Sequence, residues 1–285
     1  MAVAPLPPFV WKILCGRRLA VLRERAGLTQ AEVVARTGWS QATQAGIEGG
    51  TSKQDDEALG ALHAIYQPSE EEWSEVQELS RRGKASYSKS SFRYSFKGEP
   101  MRQVIDMEHS AVMMRCHNSM TIPGLLQCKP YMRSLFEAYV PANSPAEIDH
   151  MMSLRLERQR VLDNPDQHFD FVIDQAALSR MQNMDGSQDQ LWHLLELNER
   201  PNIDLRFVPF SHGYYLGQEV DFRIFDFEVD PVVQVASVER YDGVSIQHGD
   251  PLKRYLTVWE AQVQAGLDPN QAHNFLSFLA GPRRS

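Results

Sequence analysis

Between Gly27 and Gly50 the sequence runs GLTQAEVVARTGWSQATQAGIEGG, and its polar punctuation leaves the backbone little freedom. Thr29 followed three residues later by Glu32 is a capping box: the hydroxyl satisfies an amide of the first turn and the carboxylate reaches back to the cap's own amide. It predicts a short helix from Gln30 to Arg36. Thr37-Gly38-Trp39 then turns the chain, with Gly38 free to leave the right-handed region. Ser40 caps a further helix to about Ile47, and Gly49-Gly50 ends it. Before this stretch, Lys12 to Ala26 reads as a helix with Leu19 and Leu22 inward and Gly27 as its stop. After it, about Asp55 to Tyr66 buries Leu59, Leu62 and Ile65. Ser69 caps a fifth helix whose first turn, Glu70, Glu71 and Glu72, suits the helix dipole.

Two short helices joined by a glycine-containing turn of three residues form a helix-turn-helix, whose second helix enters the DNA major groove. The stretch Gly27 to Gly50 resembles the helix-turn-helix of the lambdoid phage repressors and of the bacterial Xre-type regulators. By that resemblance Gln30 donates to a phosphate, while Gln41, Ala42 and Thr43 face base edges; Ser40 and Gln44 complete the set of DNA-binding candidates on this helix. A Gln amide suits adenine, whose major-groove edge offers a donor beside an acceptor. The resemblance also implies an internal ion pair between Arg23 and Glu48 that fixes the recognition helix without touching DNA. The alternative leaves Gln41 and Thr43 as ordinary solvated helix residues. Three departures stand out. Gln44 occupies a position usually filled by a buried Ile or Val, Gly46 weakens a short helix by up to about 1 kcal/mol, and Ser40 to Gly50 contains no Lys or Arg.

The chain's net charge of −8 is the wrong sign for indiscriminate nucleic-acid binding, so its distribution matters more. Residues 1–80 carry 7 Lys/Arg against 11 Asp/Glu, residues 81–100 carry 6 against 1, and residues 101–285 carry 16 against 25. The positive charge is concentrated in RRGKASYSKSSFRYSFKGEP, Arg81 to Pro100, interleaved with Tyr87, Phe92, Tyr94 and Phe96. This segment is read either as an arm supplying phosphate contacts through Arg81, Arg82 and Lys84, or as a solvated linker whose aromatics dock on the next domain.

The expected organisation is therefore a helix-turn-helix domain over residues 1–80, a basic linker over 81–100 and an α+β domain over 101–285, at 285 residues enough chain for two cores. The fold class is a mainly α bundle of about five helices followed by an α+β domain with a small, largely antiparallel sheet. Ala111 to Cys116 reads as a short strand or a helix end. Helices are expected at Lys129 to Tyr139, Ala146 to Leu162, Asp174 to Gln182, Ser187 to Arg200, Pro251 to Gln264 and Pro269 to Leu279. Strands are expected at Phe169 to Ile173, Ile203 to Val208, Phe222 to Phe227 and Val232 to Val238. The last two, separated by only four residues, must pair as an antiparallel hairpin.

The second half resembles the C-terminal domain of the actinobacterial WhiJ-like regulators. The similarity lies in IPGLLQ at Ile122 to Gln127 followed by Tyr131, RLERQRVL at Arg155 to Leu162, FVIDQAAL at Phe171 to Leu178, QLWHLL at Gln190 to Leu195, and RPNIDLRFVPF at Arg200 to Phe210. The resemblance implies regulation of development or secondary metabolism and names no ligand. Pro123, Leu125, Gln127, Tyr131, Arg158, His212, Tyr214 and Tyr215 are the candidates for a ligand pocket, the last three on the loop SHGYYLG, read as a lid or as a packed connection. Arg155, Arg158 and Arg160 with Glu157 form either a charged helix face or an anion site. The sequence lacks HExxH, GxSxG, a Walker loop and GxGxxG, and its Cys and His spacing does not suit zinc. No catalytic residue, metal or cofactor is expected.

Hydrophobic residues at 42% and charged residues at 23%, the absence of a secretory signal and of a membrane span, and three cysteines without a CxxC point to a cytoplasmic protein. Its expected partners are an operator in double-stranded DNA, a second copy of itself, and a small partner protein or small-molecule effector. The competing reading is an antitoxin-like or antagonist interaction module with weakened DNA binding. If the basic segment is an arm, neutralising Arg81, Arg82, Lys84, Lys89 and Arg93 flattens the salt dependence of DNA binding, the slope falling by nearly one for each phosphate no longer neutralised. An unchanged slope refutes the arm.

Overall fold

The computed structural model describes residues 5–84, 99–139, 144–230, 232–240 and 243–282. Lys89, Arg93 and the aromatics of the basic segment lie outside them. The described residues divide into two compact units: Pro5–Ser90 with Val229–Val233, and Ser91–Glu228 with Gln234–Ser285.

Five helices build the first unit: α1 (Pro8–Arg25), α2 (Gln30–Thr37), α3 (Gln41–Gly49), α4 (Asp56–Tyr66) and α5 (Glu70–Lys84). α1 starts a turn earlier than its apolar pattern predicts, because Pro8 sits in the first turn, where its missing N–H costs nothing. The caps read from the sequence are formed. Thr29 Oγ1 accepts from the Glu32 amide at 3.2 Å while the Thr29 amide donates to Glu32 at 2.7 Å. Ser40 caps α3, and Ser69 exchanges hydrogen bonds with Glu72 at the start of α5; Asp55, expected as the first residue of its helix, instead caps α4. Gly38 takes φ 74°, the left-handed value that closes α2 and aims the chain into α3.

Leu19, Leu22, Val33, Ile47, Leu62 and Val76 fill the centre of this bundle, none more than 1% exposed. Each contributes about 1.5–3 kcal/mol by leaving water. One contact sets the spacing of α1 and α3: a Cβ at Gly16 would lie 2.3 Å from the Glu48 carbonyl oxygen, so only glycine lets the helices approach this closely.

The second unit opens with α6 (Glu99–Ser110) and holds a six-stranded sheet. Its strands are β1 (Met113–Asn118), β2 (His168–Asp174), β3 (Ile203–Val208), β4 (Phe222–Phe227), β5 (Val233–Arg240) and β6 (Gly243–Gln247), in the order β3-β2-β1-β4-β5-β6. The expectation of a small, largely antiparallel sheet is thus corrected: β1, β2 and β3 are parallel, and antiparallel pairing begins at β4. The reason lies in the connections. Between β1 and β2 run α7 (Lys129–Tyr139) and α8 (Pro145–Gln159), and between β2 and β3 run α9 (Gln175–Met181) and α10 (Ser187–Asn198), long helical crossovers of the kind parallel neighbours require. β4 and β5 are joined by a short link, and their cross-strand pairs Arg223–Glu239 and Asp226–Gln234 run in opposite order, as an antiparallel hairpin does. β6 carries only five residues, an exposed Gly243 and four that are partly exposed, too weak a pattern to be read from sequence.

β1 is where the sheet reverses, with β2 parallel on one side and β4 antiparallel on the other. Side chains alternate between its faces. On one face Phe222, Ile224, Ala236 and Val238 pack with Leu252 and Trp259 of α11 (Asp250–Ala265). The chain ends in α12 (Pro269–Ala280), which packs against α10 and β3.

The parallel register sets Asp170 of β2 directly beside Asp204 of β3. Burial, with the neighbouring Asp204 charge, pushes the Asp170 carboxyl up from 3.8 to about 6. The folded protein therefore holds this proton more tightly than the unfolded chain, and the stability it confers is full below about pH 4 and lost as pH rises through about 6. Asp170→Asn is expected to raise stability at pH 7 by about 1–2 kcal/mol, allowing for partial exposure. The gain should vanish towards pH 4. Urea unfolding at the two pH values checks this, and an equal gain at both contradicts it.

Candidate functional site

The outer surface of α3 is held from beneath by a chain of polar contacts. Glu48, 8% exposed, receives Arg23 Nε at 2.7 Å and Nη2 at 3.1 Å, a bidentate pair that leaves Arg23 Nη1 to donate to the Leu28 carbonyl at 2.7 Å. The pair implied by resemblance is formed. Gln30 Nε2 donates to the same carboxylate at 2.8 Å, and Gln30 Oε1 accepts from Gln41 Nε2 at 2.9 Å. A line of contacts thus runs from a buried ion pair to a solvent-exposed glutamine on α3.

Gln41 and Ala42 are exposed, as is Ala45, and Thr43 is partly exposed. Ser40 is exposed with its hydroxyl engaged by Thr43. Gln44 is a correction. It is fully buried, donating to Glu48 at 2.7 Å and to the Tyr66 hydroxyl at 3.1 Å, so it belongs to the core and cannot reach a base. A buried amide replaces the usual branched residue because this core already holds a carboxylate in need of donors. Gly46 also has a reason beyond helix propensity: the chain folds back over it, the Thr51 and Ser52 amides donating to its carbonyl, and a Cβ there would lie 2.1 Å from Ser52 Oγ. At the end of α5, Arg81 and Arg82 both pair with Glu78, and Lys84 pairs with Asp56. These cations are exposed but already share carboxylates.

In the second unit a cavity of about 420 Å³ opens beside the carboxyl end of β1, lined among others by Asn118, Gln127, Arg155, Arg158, Arg223 and Glu239. Gln127 and Arg158 are the pocket candidates that line it. Pro123, Leu125 and Tyr131 are buried around the short 3-10 helix Gly124–Leu126 and α7, and do not line it. His212, Tyr214 and Tyr215 also do not. Tyr215 belongs to the apolar cluster on the opposite face of the sheet, and His212 and Tyr214 are exposed on its loop. Alternation along β1 causes the separation, since His117 pairs with Phe222 and Cys116 with Arg223 on opposite faces.

A family model described as a domain of unknown function (DUF5753) matches residues 101–277, more than half of the chain. The chain belongs to this family. A second model, described as a helix-turn-helix domain, matches residues 15–76. A helix-turn-helix is a DNA-binding element. No curated protein and no solved structure matches the chain. Among the described residues no helix is long and apolar enough to cross a membrane, and no group of three His, Cys, Asp or Glu could hold a metal ion.

The DUF5753 domain also contains a buried polar chain that no local sequence pattern assembles. Tyr215 Oη donates to Asp174 Oδ2 at 2.8 Å and lies 3.1 Å from His117 Nε2, while His117 Nδ1 meets the Val220 carbonyl at 2.8 Å. Burial lowers the His117 pKa, favouring the neutral ring, whose Nδ1–H then donates to Val220. The three side chains tie the β3–β4 loop to the ends of β1 and β2, so SHGYYLG is a packed connection at Tyr215. Burial pushes the Cys15 and Cys116 thiols up to about 12, which keeps them protonated. Arg223, a cation within the otherwise largely apolar strand FRIFDF, is the sequence signal through which the cavity could have been found.

Glu48 joins Arg23, Gln30 and Gln44, so Glu48→Ala takes from the buried Arg23 guanidinium its bidentate partner and leaves it only the Leu28 carbonyl and the exposed Glu24. The helix-turn-helix unit should lose about 3–5 kcal/mol. Urea unfolding followed by tryptophan fluorescence checks it, and a loss below about 1 kcal/mol contradicts the central role of this carboxylate.

Proposed function

We propose that this protein is a sequence-specific, DNA-binding transcriptional regulator of the Xre type, akin to the WhiJ-like group, that acts in the cytoplasm as a homodimer. Its C-terminal domain senses an effector or a partner and works by binding, not by catalysis, without a cofactor. The observation that carries this reading is the exposed Gln41 amide, held by Gln30, which is held in turn by the buried Glu48. A base-reading side chain fixed before DNA arrives loses little freedom on binding. A short recognition helix spans few base pairs, and two-fold pairing of half-sites about 10 base pairs apart supplies the remaining affinity.

A gel shift of the full chain against duplexes from its own promoter region tests the reading. A specific, salt-sensitive complex is expected. Gln41→Ala should weaken the specific complex about tenfold or more, equivalent to about 1–3 kcal/mol, and leave nonspecific binding unchanged. Absence of any specific complex removes the reading.

One observation favours a second reading, an antitoxin-like or antagonist interaction module. α3 carries no Lys or Arg, and Arg81, Arg82 and Lys84 already share carboxylates. Co-purification of a small protein together with failure to bind DNA would select it.

A further inference from the structure

Among the described residues, the cavity beside β1 holds a cation that has no ion-pair partner. Arg158 is paired with Glu108 and Arg223 with Glu239, each at 2.5 Å. Arg155 differs. Among the described residues no carboxylate lies within ion-pair distance of it; its guanidinium stacks 4.4 Å from the Phe136 ring centroid and donates to Gln127 Oε1 at 2.5 Å. Burial, reinforced by the nearby Arg158 charge, lowers its pKa to about 10, which still leaves it protonated at pH 7. Arg240, exposed at the rim, adds a second cation.

An unpaired cation in a largely desolvated site is costly to keep, and a bound anion removes that cost. The surroundings narrow the kind of anion. Leu135, Phe136 and Met151 supply an apolar wall beside Arg155, and about 420 Å³ matches the size of small-molecule sites. The location fits too, since open sheets bind ligands outside the carboxyl ends of their strands where strand order reverses, and β1 is that strand here.

We propose that this cavity binds a small amphipathic anion, its carboxylate or phosphate head against Arg155 and its apolar body along Phe136 and Met151. The planar guanidinium fork grips either head with two parallel hydrogen bonds. The inference deepens the effector role assigned to the C-terminal domain and rests on that role. It stands apart from DNA binding by α3, which a gel shift reads separately, so either can fail while the other holds.

The test uses the full chain with octanoate, octyl phosphate, octanol and octylammonium as probes, followed by melting temperature and by displacement of the fluorescent sulfonate anilinonaphthalene sulfonate. Octanoate or octyl phosphate should raise the melting temperature by a few degrees and displace the dye, and the stronger of the two identifies the head group. Octanol and octylammonium should do neither. Arg155→Met, which keeps the stem against Phe136, should weaken the anion at least tenfold without lowering the melting temperature of the free protein. Arg155→Lys should bind with intermediate affinity. Arg160→Met, on the same segment but paired outward with Glu157, should bind as the unaltered chain does. Equal binding of octanol, failure of both anions, or unchanged anion affinity in Arg155→Met would overturn the proposal.

Discussion

A single carboxylate organises the helix-turn-helix unit. Glu48 has 7% of its side-chain surface exposed and is met by donors from three directions, Arg23 of α1, Gln30 of α2 and Gln44 of its own helix. A buried pair of this kind adds little net stability over an apolar pair of the same shape, because desolvation offsets most of the attraction. What it provides is geometry. The bidentate contact fixes the rotation of α3 about its axis, and Gly16 fixes its depth by letting α1 approach its last carbonyls. With rotation and depth set, Gln41 and Ala42 face outward and Gln44 and Ile47 face inward.

The DUF5753 domain is organised by the reversal of its sheet at β1. Two helical crossovers lay β2 and β3 down on one side as parallel strands, and the β4–β5 hairpin returns on the other. Alternation then sorts chemistry between the faces. His117 joins Tyr215 and Asp174 under the β3–β4 loop, while Arg223 and Glu239 turn toward α8 and the cavity. The first cluster ties strand ends together. Among the described residues the second leaves the Arg155 guanidinium without an ion-paired carboxylate, Glu239 being held by Arg223.

What the sequence discloses follows from how local its signals are. Thr29 with Glu32, Ser40 after Gly38, and Ser69 each settle a helix end within three or four residues, and all of these are formed. The Arg23–Glu48 pair is accessible through resemblance alone, since the 25-residue separation gives no local clue. Gln44 reads as a DNA-facing residue because helix periodicity does not say that a polar side chain turns inward to serve a buried carboxylate. The parallel half of the sheet is hidden for a similar reason: strand runs such as Phe171 to Ile173 reveal burial but not their neighbours. Likewise, Gln127 and Arg158 line the cavity, yet Tyr215 groups with them in sequence because sequence cannot say which face of a sheet a distant loop covers.

On the proposed reading, the buried pair orients α3 for DNA more than it stabilises the fold. Replacing both members together, Arg23→Met with Glu48→Leu, separates these roles, and the decisive measurement is the affinity of that double variant for the specific duplex. The expected result is a melting temperature within a few degrees of the unaltered protein and specific affinity at least tenfold weaker, since Gln30 and Gln41 lose their anchor. A folded double variant that binds the duplex with full affinity and specificity would contradict it.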